Sequence, residues 1–243
     1  MKTAIISGAS RGIGKAAALT LAKNGYRVIV NYLNSRLEAE RIERTIIENG
    51  GSACIYKADV SDPQATAEMV EYARSAFGSV DLAVANAGIA CYGLLIDSSA
   101  DCARRLIDVN LIGVINLCRE AGKVMLSQKS GNIVTIASMW GEVGASCESV
   151  YSAAKGGVIA LTKALAKEFA PSGVRVNCVS PGFIDTEMNS ALSKEDVSAI
   201  VSEIPLARAG SPQDVADAIE WLASEKSSYV TGQIISVNGG LII

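Results

Sequence analysis

The feature that most constrains this chain is its opening, TAIISGASRGIGKAAALTLA (3–22). An apolar run meets three glycines, Gly8, Gly12 and Gly14, and passes at once into a segment of helical composition. A strand that turns this tightly into a helix commits the chain to a βα unit whose helix folds back over the sheet. The same grammar repeats downstream. Strand-like runs TAIIS (3–7), RVIVN (27–31), ACIYK (53–57), LAVAN (82–86), NIVTIA (132–137), RVNCVS (175–180) and QIISV (233–237) alternate with helix-length stretches at 13–24, 35–49, 63–77, 101–128 and 151–170. Several runs are continuously apolar, as strands buried on both faces must be. The expectation is an α/β chain: one domain over residues 1–243, built on a doubly wound parallel seven-stranded sheet with helices on both faces. The least strand-like region starts at Pro181 and ends at Pro212; its stretch 183–210 reads as a lid over a pocket.

Composition removes whole classes of function. A net charge of −3 without a basic run offers no surface for nucleic acid. No run is apolar and long enough to span a bilayer, and the N-terminus lacks a signal peptide's apolar core and cleavage site, so no membrane partner and a cytoplasmic location are expected. The chain has 0 histidines, which rules out Ser-His-Asp and Cys-His nucleophile systems and histidine-based metal centres. The 6 cysteines, at 54, 91, 102, 118, 147 and 178, contain no C-x-x-C pair and read as reduced thiols, with no metal site. Any proton transfer falls to Tyr, Lys, Asp, Glu or Cys.

The three glycines have a chemical reading. Gly8 permits the tight turn, Gly12 lets backbone approach a pyrophosphate, and Gly14 lets the helix pack on the sheet, while the helix N-terminus presents N–H donors and positive dipole. Ser10, Arg11 and Ile13 complete that loop, and a Rossmann-type dinucleotide site is expected. NAD sites carry an acid at the end of the second strand for the ribose hydroxyls. Here Asn31 stands at that place, and Arg11 and Arg36 are cations able to pair a 2′-phosphate, so the cofactor expected is NADP(H). Asp59 and Val60 after the third strand, and Asn86, Ala87 and Gly88 after the fourth, lie on the ligand side; Asp59 is suited to accept from an adenine amino group.

In SVYSAAKGG (149–157), Tyr151 and Lys155 lie four residues apart and so share one helix face. Together with SGASRGIG (7–14), NAG (86–88), Asn110, Ser138, PG (181–182) and VNGG (237–240), the YSAAK motif makes the chain resemble the short-chain dehydrogenase/reductase family over essentially its whole length. One small departure is Ser7, where the family usually has Thr; the hydroxyl is retained. The resemblance implies a carbonyl reductase in which Tyr151 is the general acid, Ser138 orients the carbonyl oxygen, Lys155 holds ribose hydroxyls, and Asn110 holds a water in the proton relay. A nearby ammonium and the nicotinamide cation are expected to draw the Tyr151 pKa towards neutrality. Pro181, Gly182, Ile184 and Thr186 match the family segment under the nicotinamide. A non-catalytic dinucleotide sensor on this fold is expected to lack the tyrosine or lysine, which this chain keeps.

Within the family the C-terminal third is similar to 3-oxoacyl-(acyl-carrier-protein) reductases, which implies NADPH dependence, a homotetramer, a ketone substrate, small-molecule or borne on a carrier or protein, and basic residues that dock the carrier. Lys129 keeps one such charge; Ser172 stands where an arginine is usual. The run from Trp140 to Glu148 is instead similar to reductases that act on a 5-aminopentanone group carried by elongation factor P. Trp140 and Glu148 are candidate substrate residues beside Ser138 and Tyr151, and Glu142 and Glu148 suit an amine-bearing substrate.

Overall fold

The computed structural model describes residues 1–190 and 192–243. Seven strands form one sheet in the order β3-β2-β1-β4-β5-β6-β7, every neighbouring pair parallel. They are β1 (Thr3–Ile6), β2 (Arg27–Tyr32), β3 (Ser52–Lys57), β4 (Leu82–Ala85), β5 (Gly131–Ile136), β6 (Val174–Pro181) and β7 (Ile234–Val237). The helices are α1 (Gly12–Lys23), α2 (Arg36–Glu48), α3 (Pro63–Phe77), α4 (Ala100–Ile107), α5 (Gly113–Gln128), α6 (Met139–Val143), α7 (Ser149–Phe169), α8 (Lys194–Glu203) and α9 (Pro212–Ala223).

Strand periodicity explains the two layers of core. Ala4, Ile6, Val28, Val30, Leu82, Val84, Val134 and Val179 face α1, α2 and α9. The alternate residues Ile5, Ile29, Ala83, Ile133, Val176 and Cys178 face α3, α5 and α7. Both faces are closed, so the strands carry apolar side chains on each; full burial of one such Ile or Leu contributes about 1.5–3 kcal/mol. Helix starts follow from local chemistry. Asp62 caps α3 ahead of Pro63, and Ser193 and Ser211 form capping boxes with Asp196 and Asp214 at α8 and α9.

The strand order reverses between β1 and β4, which opens a crevice at the carboxyl ends of these strands. Two differences from the sequence reading matter there. The stretch 101–128 is not one helix: Asp108–Ile112 forms a π-turn between α4 and α5, with the buried Asn110 at its centre. A short helix, α6, follows β5 and starts at the side chain of Ser138. Of the expected lid 183–210, residue 191 lies outside the described residues. The two ends of that stretch are tied together: Asp185 N–H donates to Gly210 O (2.8 Å) and Gly210 N–H to Phe183 O (2.9 Å). Between them α8 stands away from the core with no buried residue.

Candidate active site

A cleft of about 280 Å³ occupies the crevice, and most of the residues singled out in the sequence line it. Gly8, Ser10, Arg11, Gly12 and Ile13 form one wall, Asp59, Val60, Asn86, Ala87 and Gly88 another, and Ser138, Lys155, Pro181, Gly182, Ile184 and Thr186 the inner end. Gly14 lies behind the wall as a packing position. A Cβ there would come 2.4 Å from Gly8 O and 2.6 Å from Asn86 Nδ2, so any side chain would part the helix from the sheet. The turn is stapled to β4 by Ser7, whose hydroxyl accepts from the N–H groups of Asn86 (2.9 Å) and Ala87 (3.0 Å), and by Asn86 Nδ2, which donates to Ser7 O (2.9 Å) and Gly8 O (3.1 Å).

Three of the expected cofactor residues are engaged with the protein's own groups. Asn31 lines the cleft from the end of β2. It is buried, its Oδ1 accepts from Gly8 N–H (3.1 Å) and its Nδ2 donates to Ala58 O (3.1 Å), so it braces the glycine turn. Arg36 is not among the residues lining the cleft; its exposed guanidinium pairs with Glu40 (2.7 Å), one helical turn along α2, in a weak surface contact. Asp59 is not a free acceptor. Ser61 N–H, Ser61 Oγ and Arg105 Nη2 donate to its carboxylate at 3.0, 2.6 and 2.8 Å. Burial works against the charge, but these donors outweigh it and hold the Asp59 carboxyl below its ordinary range.

The sequence reading missed three contributors. Arg105 lines the cleft while paired with Asp59 from 46 residues away; nothing in its local pattern distinguishes it from a surface charge. Asn34 and Ser35, past the end of β2, also line the cleft. Ser35 caps α2 without a side-chain bond to it.

The chemistry end is tighter. Lys155 is buried, and its Nζ donates to Ile136 O (2.8 Å) and lies 5.7 Å from the centre of the Tyr151 ring. Gly141 makes this possible: a Cβ there would come 2.6 Å from the Lys155 carbonyl carbon, so only glycine lets α6 rest on α7 at this turn. Ser138 follows β5 and caps α6, its Oγ accepting from Trp140 N–H (3.2 Å). Burial pushes the Tyr151 phenol up to about 12, with contact from Ser138 pulling it down and the Glu148 charge raising it further. Burial brings the Lys155 ammonium down to about 8. Desolvation thus outweighs the contact with Ser138 and keeps the phenol above its ordinary value. Asn110 is engaged at both ends of its amide: its Nδ2 donates to Ile89 O and its Oδ1 accepts from Ile89 N–H, both at 2.8 Å. Its side chain therefore pins the loop beside Gly88, with one Nδ2 hydrogen and one Oδ1 lone pair left over.

A second cavity, of about 300 Å³, adjoins this end. Glu148 lines it together with Asp97, Leu106 and Val150. Glu148 is half-buried and its carboxyl is raised by that burial. Trp140 is not among its lining residues; it packs on the small cluster of Leu106, Tyr151 and Ala154. Glu142 is taken by Ser180 and Ser236, which donate to its Oε1.

Whether the residues fit a dinucleotide is answered by the donor set. The N-cap of α1, Arg11, is extended and makes no side-chain cap bond, so the first-turn N–H groups have no side-chain partner, and Gly12 and Ile13, which carry them, line the cleft. A glycine turn with free helix donors at the switch point of a parallel sheet, ending at a buried tyrosine–lysine pair, defines a nicotinamide-dinucleotide oxidoreductase. The comparisons with known proteins agree. The family model described as enoyl-(acyl carrier protein) reductase, within the short-chain dehydrogenases/reductases, matches residues 8–242. The chain belongs to the short-chain dehydrogenase/reductase family, and acts on a ketone/alcohol pair. It is 43% identical over 99% of its length to the 3-oxoacyl-(acyl-carrier-protein) reductase FabG of Staphylococcus aureus, covering 98% of that protein. It is 42% identical over its full length to 3-oxoacyl-(acyl-carrier-protein) reductase of Synechocystis, covering 97% of it. The crystal structure of a short-chain type dehydrogenase/reductase from Mycobacterium marinum superposes with a TM-score of 0.93 at 37% identity, covering 99% of this chain and 95% of that one.

Proposed function

We propose that this protein reduces 3-oxoacyl thioesters borne on an acyl carrier, using NADPH. The single observation that carries the reading is Lys155 lining the inner end of the cleft with its ammonium 5.7 Å from the centre of the buried Tyr151 ring, in a chain 43% identical to a 3-oxoacyl-(acyl-carrier-protein) reductase. When bound, the cofactor supplies hydride to the carbonyl carbon. Tyr151, whose phenol burial raises, donates the proton to the carbonyl oxygen. Ser138 hydrogen-bonds the same oxygen and fixes its direction. Lys155 stays largely protonated at neutral pH and presents its ammonium to the ribose and the phenol. Asn110 is a positioning residue, holding Ile89 and Gly88 against this group.

NADPH over NADH is supported by Arg11 and by the Asn34–Ser35 end of the cleft, where α2 offers N–H groups with no side-chain cap and the end of β2 carries Asn31 in place of an acid. Pairing of Arg11 with Glu187 (3.1 Å), an exposed contact worth at most about 1 kcal/mol, leaves it easily exchanged for a phosphate. Residues 183–210 serve as the substrate lid. The enzyme works as a cytoplasmic homotetramer.

One observation favours a second reading. Among the described residues Glu148 has no cationic partner, and it sits in the cavity beside Tyr151, which suits a substrate that carries an amine, such as the 5-aminopentanone group on elongation factor P. Ser172 weakens carrier docking in the same direction. The deciding experiment follows NADPH oxidation with an acetoacetyl thioester and with elongation factor P bearing the aminopentanone. Turnover of the thioester alone supports the first reading; turnover of the modified factor alone replaces it with the second. No turnover of any ketone, with cofactor still bound, would make the chain a dinucleotide sensor.

A further inference from the structure

Among the described residues three cations line the cofactor cleft: Arg11, Lys155 and Arg105. The first two have tasks above, and Arg105 has none. It stands on α4, and its guanidinium closes a ring on the segment that follows β3. Nη2 donates to Asp59 Oδ2 and Nη1 to Ser61 Oγ, both at 2.8 Å, and Ser61 Oγ donates in turn to Asp59 Oδ1 (2.6 Å). Ser61 N–H donates to the same Oδ1 (3.0 Å). From α5, Asn116 Nδ2 donates to Val60 O (3.0 Å), and a Cβ on Gly113 would come 2.6 Å from Val60 Cγ2. Asp59 is therefore held in one orientation. Its Oδ1 takes two donors and is full; its Oδ2 takes one, so a single lone pair is left, on the oxygen beside the guanidinium. Both side chains line the cleft and keep surface open to a ligand, 30% for Asp59 and 42% for Arg105. β3 is an edge strand and β5, which leads to Ser138, lies four places along the sheet, so the pair stands at the end of the cleft away from the chemistry.

We propose that Arg105 is a positioning residue for the cofactor's base: by fixing the Asp59 carboxylate with one acceptor lone pair left, it makes this end of the cleft select adenine, whose 6-amino group donates, over a base with an oxygen at that place. The inference rests on the dinucleotide reading above. An ionised carboxylate accepts and cannot donate. Held rigid, it meets a 6-oxo group as one acceptor against another, and neither can turn to find a donor, whereas an amino group satisfies it. Sites built to hydrogen-bond one group of a ligand reject the analogue lacking it far more strongly than apolar pockets do. Without Arg105 the carboxylate is free to rotate and take water, and the two bases are met alike. A purely structural ion pair acts differently: its loss would loosen the wall and lower the affinity for every dinucleotide by the same factor. The ratio of two affinities separates these roles.

The test is isothermal titration of the full-length protein with NADPH and with its hypoxanthine analogue, in which oxygen replaces the 6-amino group; no ketone is needed. The wild type should bind NADPH at least about tenfold more tightly than the analogue. In Arg105→Met the ratio should fall to within about threefold, mainly through lost NADPH affinity. Arg105→Lys keeps the charge without the fork and should lie between. Arg104→Met, exposed on the same helix, should keep the wild-type ratio. Equal affinities in the wild type, or a wild-type ratio preserved in the Arg105 variants, would overturn the proposal. Should Arg105→Met fail to fold, the wild-type ratio and Arg105→Lys still decide it. A wild type that binds neither nucleotide would overturn the cofactor reading itself, and the inference with it.

Discussion

Asn110 and Ile89 hold each other through a reciprocal pair of hydrogen bonds, amide to carbonyl and N–H to amide oxygen, each 2.8 Å long. A buried asparagine in the middle of a helical stretch is unfavourable by propensity, and the π-turn at Asp108–Ile112 carries it there. The pair joins the turn to the loop that separates the two cavities. Asn110→Ala strips both backbone groups of Ile89 of their partner, at about 1–3 kcal/mol for each group left unsatisfied. Urea unfolding should show that loss, and kcat should fall with it. Asn110→Asp keeps the acceptor and loses only the donor, so it should land between. Wild-type stability in Asn110→Ala would mean that the loop is held by something else.

Gly141 sets the spacing of α6 on α7. Adding a methyl group there places it 2.6 Å from the Lys155 carbonyl carbon and 2.9 Å from Gly156 N, both backbone atoms that cannot swing aside. Gly141→Ala should lose about 1–3 kcal/mol from overpacking and lower kcat disproportionately, because the shift falls on Lys155 and on the Ser138 cap of α6. Gly156→Ala is the control: its new methyl would meet only Gly141 O, at 3.3 Å, inside a helix that favours alanine. If the two variants are equally active, the contact is not what positions the site.

On the proposed reading, Arg11 and Ser35 carry the cofactor preference. Arg11→Ala should weaken NADPH binding by about tenfold and leave NADH nearly untouched, since only the 2′-phosphate needs the cation. Ser35→Asp puts a carboxylate at the α2 N-terminus and should invert the preference. Isothermal titration with both nucleotides reads the result; equal losses for NADPH and NADH in Arg11→Ala would place the 2′-phosphate elsewhere.

What the sequence makes legible is set by the range of the interactions. The strands are visible because burial on both faces demands unbroken apolar runs, and the glycine turn because close approach admits no other residue. Tyr151 and Lys155 are visible because four residues on a helix put them on one face. Partners distant in the chain are not visible. Arg105 meets Asp59 across 46 residues, and Asn31 meets the glycine turn from the neighbouring strand, so both look like free polar groups in the sequence. Arg36 differs: its partner Glu40 is local, and the exposed pair runs along one helix outside the lining of the cleft. The π-turn is hidden because one extra residue barely disturbs an apolar pattern shared by α4 and α5.

Burial of Lys155 has a thermodynamic signature. Its ammonium titrates near 8 in the folded chain against 10.5 when solvated. Between these values the unfolded chain binds more protons than the folded one, so stability rises with pH across this window, by about 3 kcal/mol in all. Below pH 8 both states are protonated and the full cost of the buried charge is present. Lys155→Met has no such cost. Thermal melts of the two proteins from pH 7 to pH 10 should therefore show the wild type gaining steadily on the variant. A difference that stays constant would mean that the ammonium is solvated.

Glu148 acts on Tyr151 through space. The phenol is held up to about 12 by burial first, with the Glu148 charge adding to it. In alcohol oxidation the tyrosine must be ionised to accept the proton, so the rate climbs with pH until the phenolate is formed. Glu148→Gln removes the negative charge without changing the side chain's size, which makes the phenolate easier to form. The alkaline rise of kcat/KM for oxidation should move to lower pH, while reduction near neutrality, where the phenol is protonated in either protein, keeps its kcat with a neutral substrate. With a substrate bearing an amine the same variant should raise KM, because the half-buried carboxylate that would pair with the cation is gone. A pH profile that does not move would show that the Glu148 charge does not reach the phenol. An unchanged KM for an amine-bearing ketone would return the cavity to the acyl thioester.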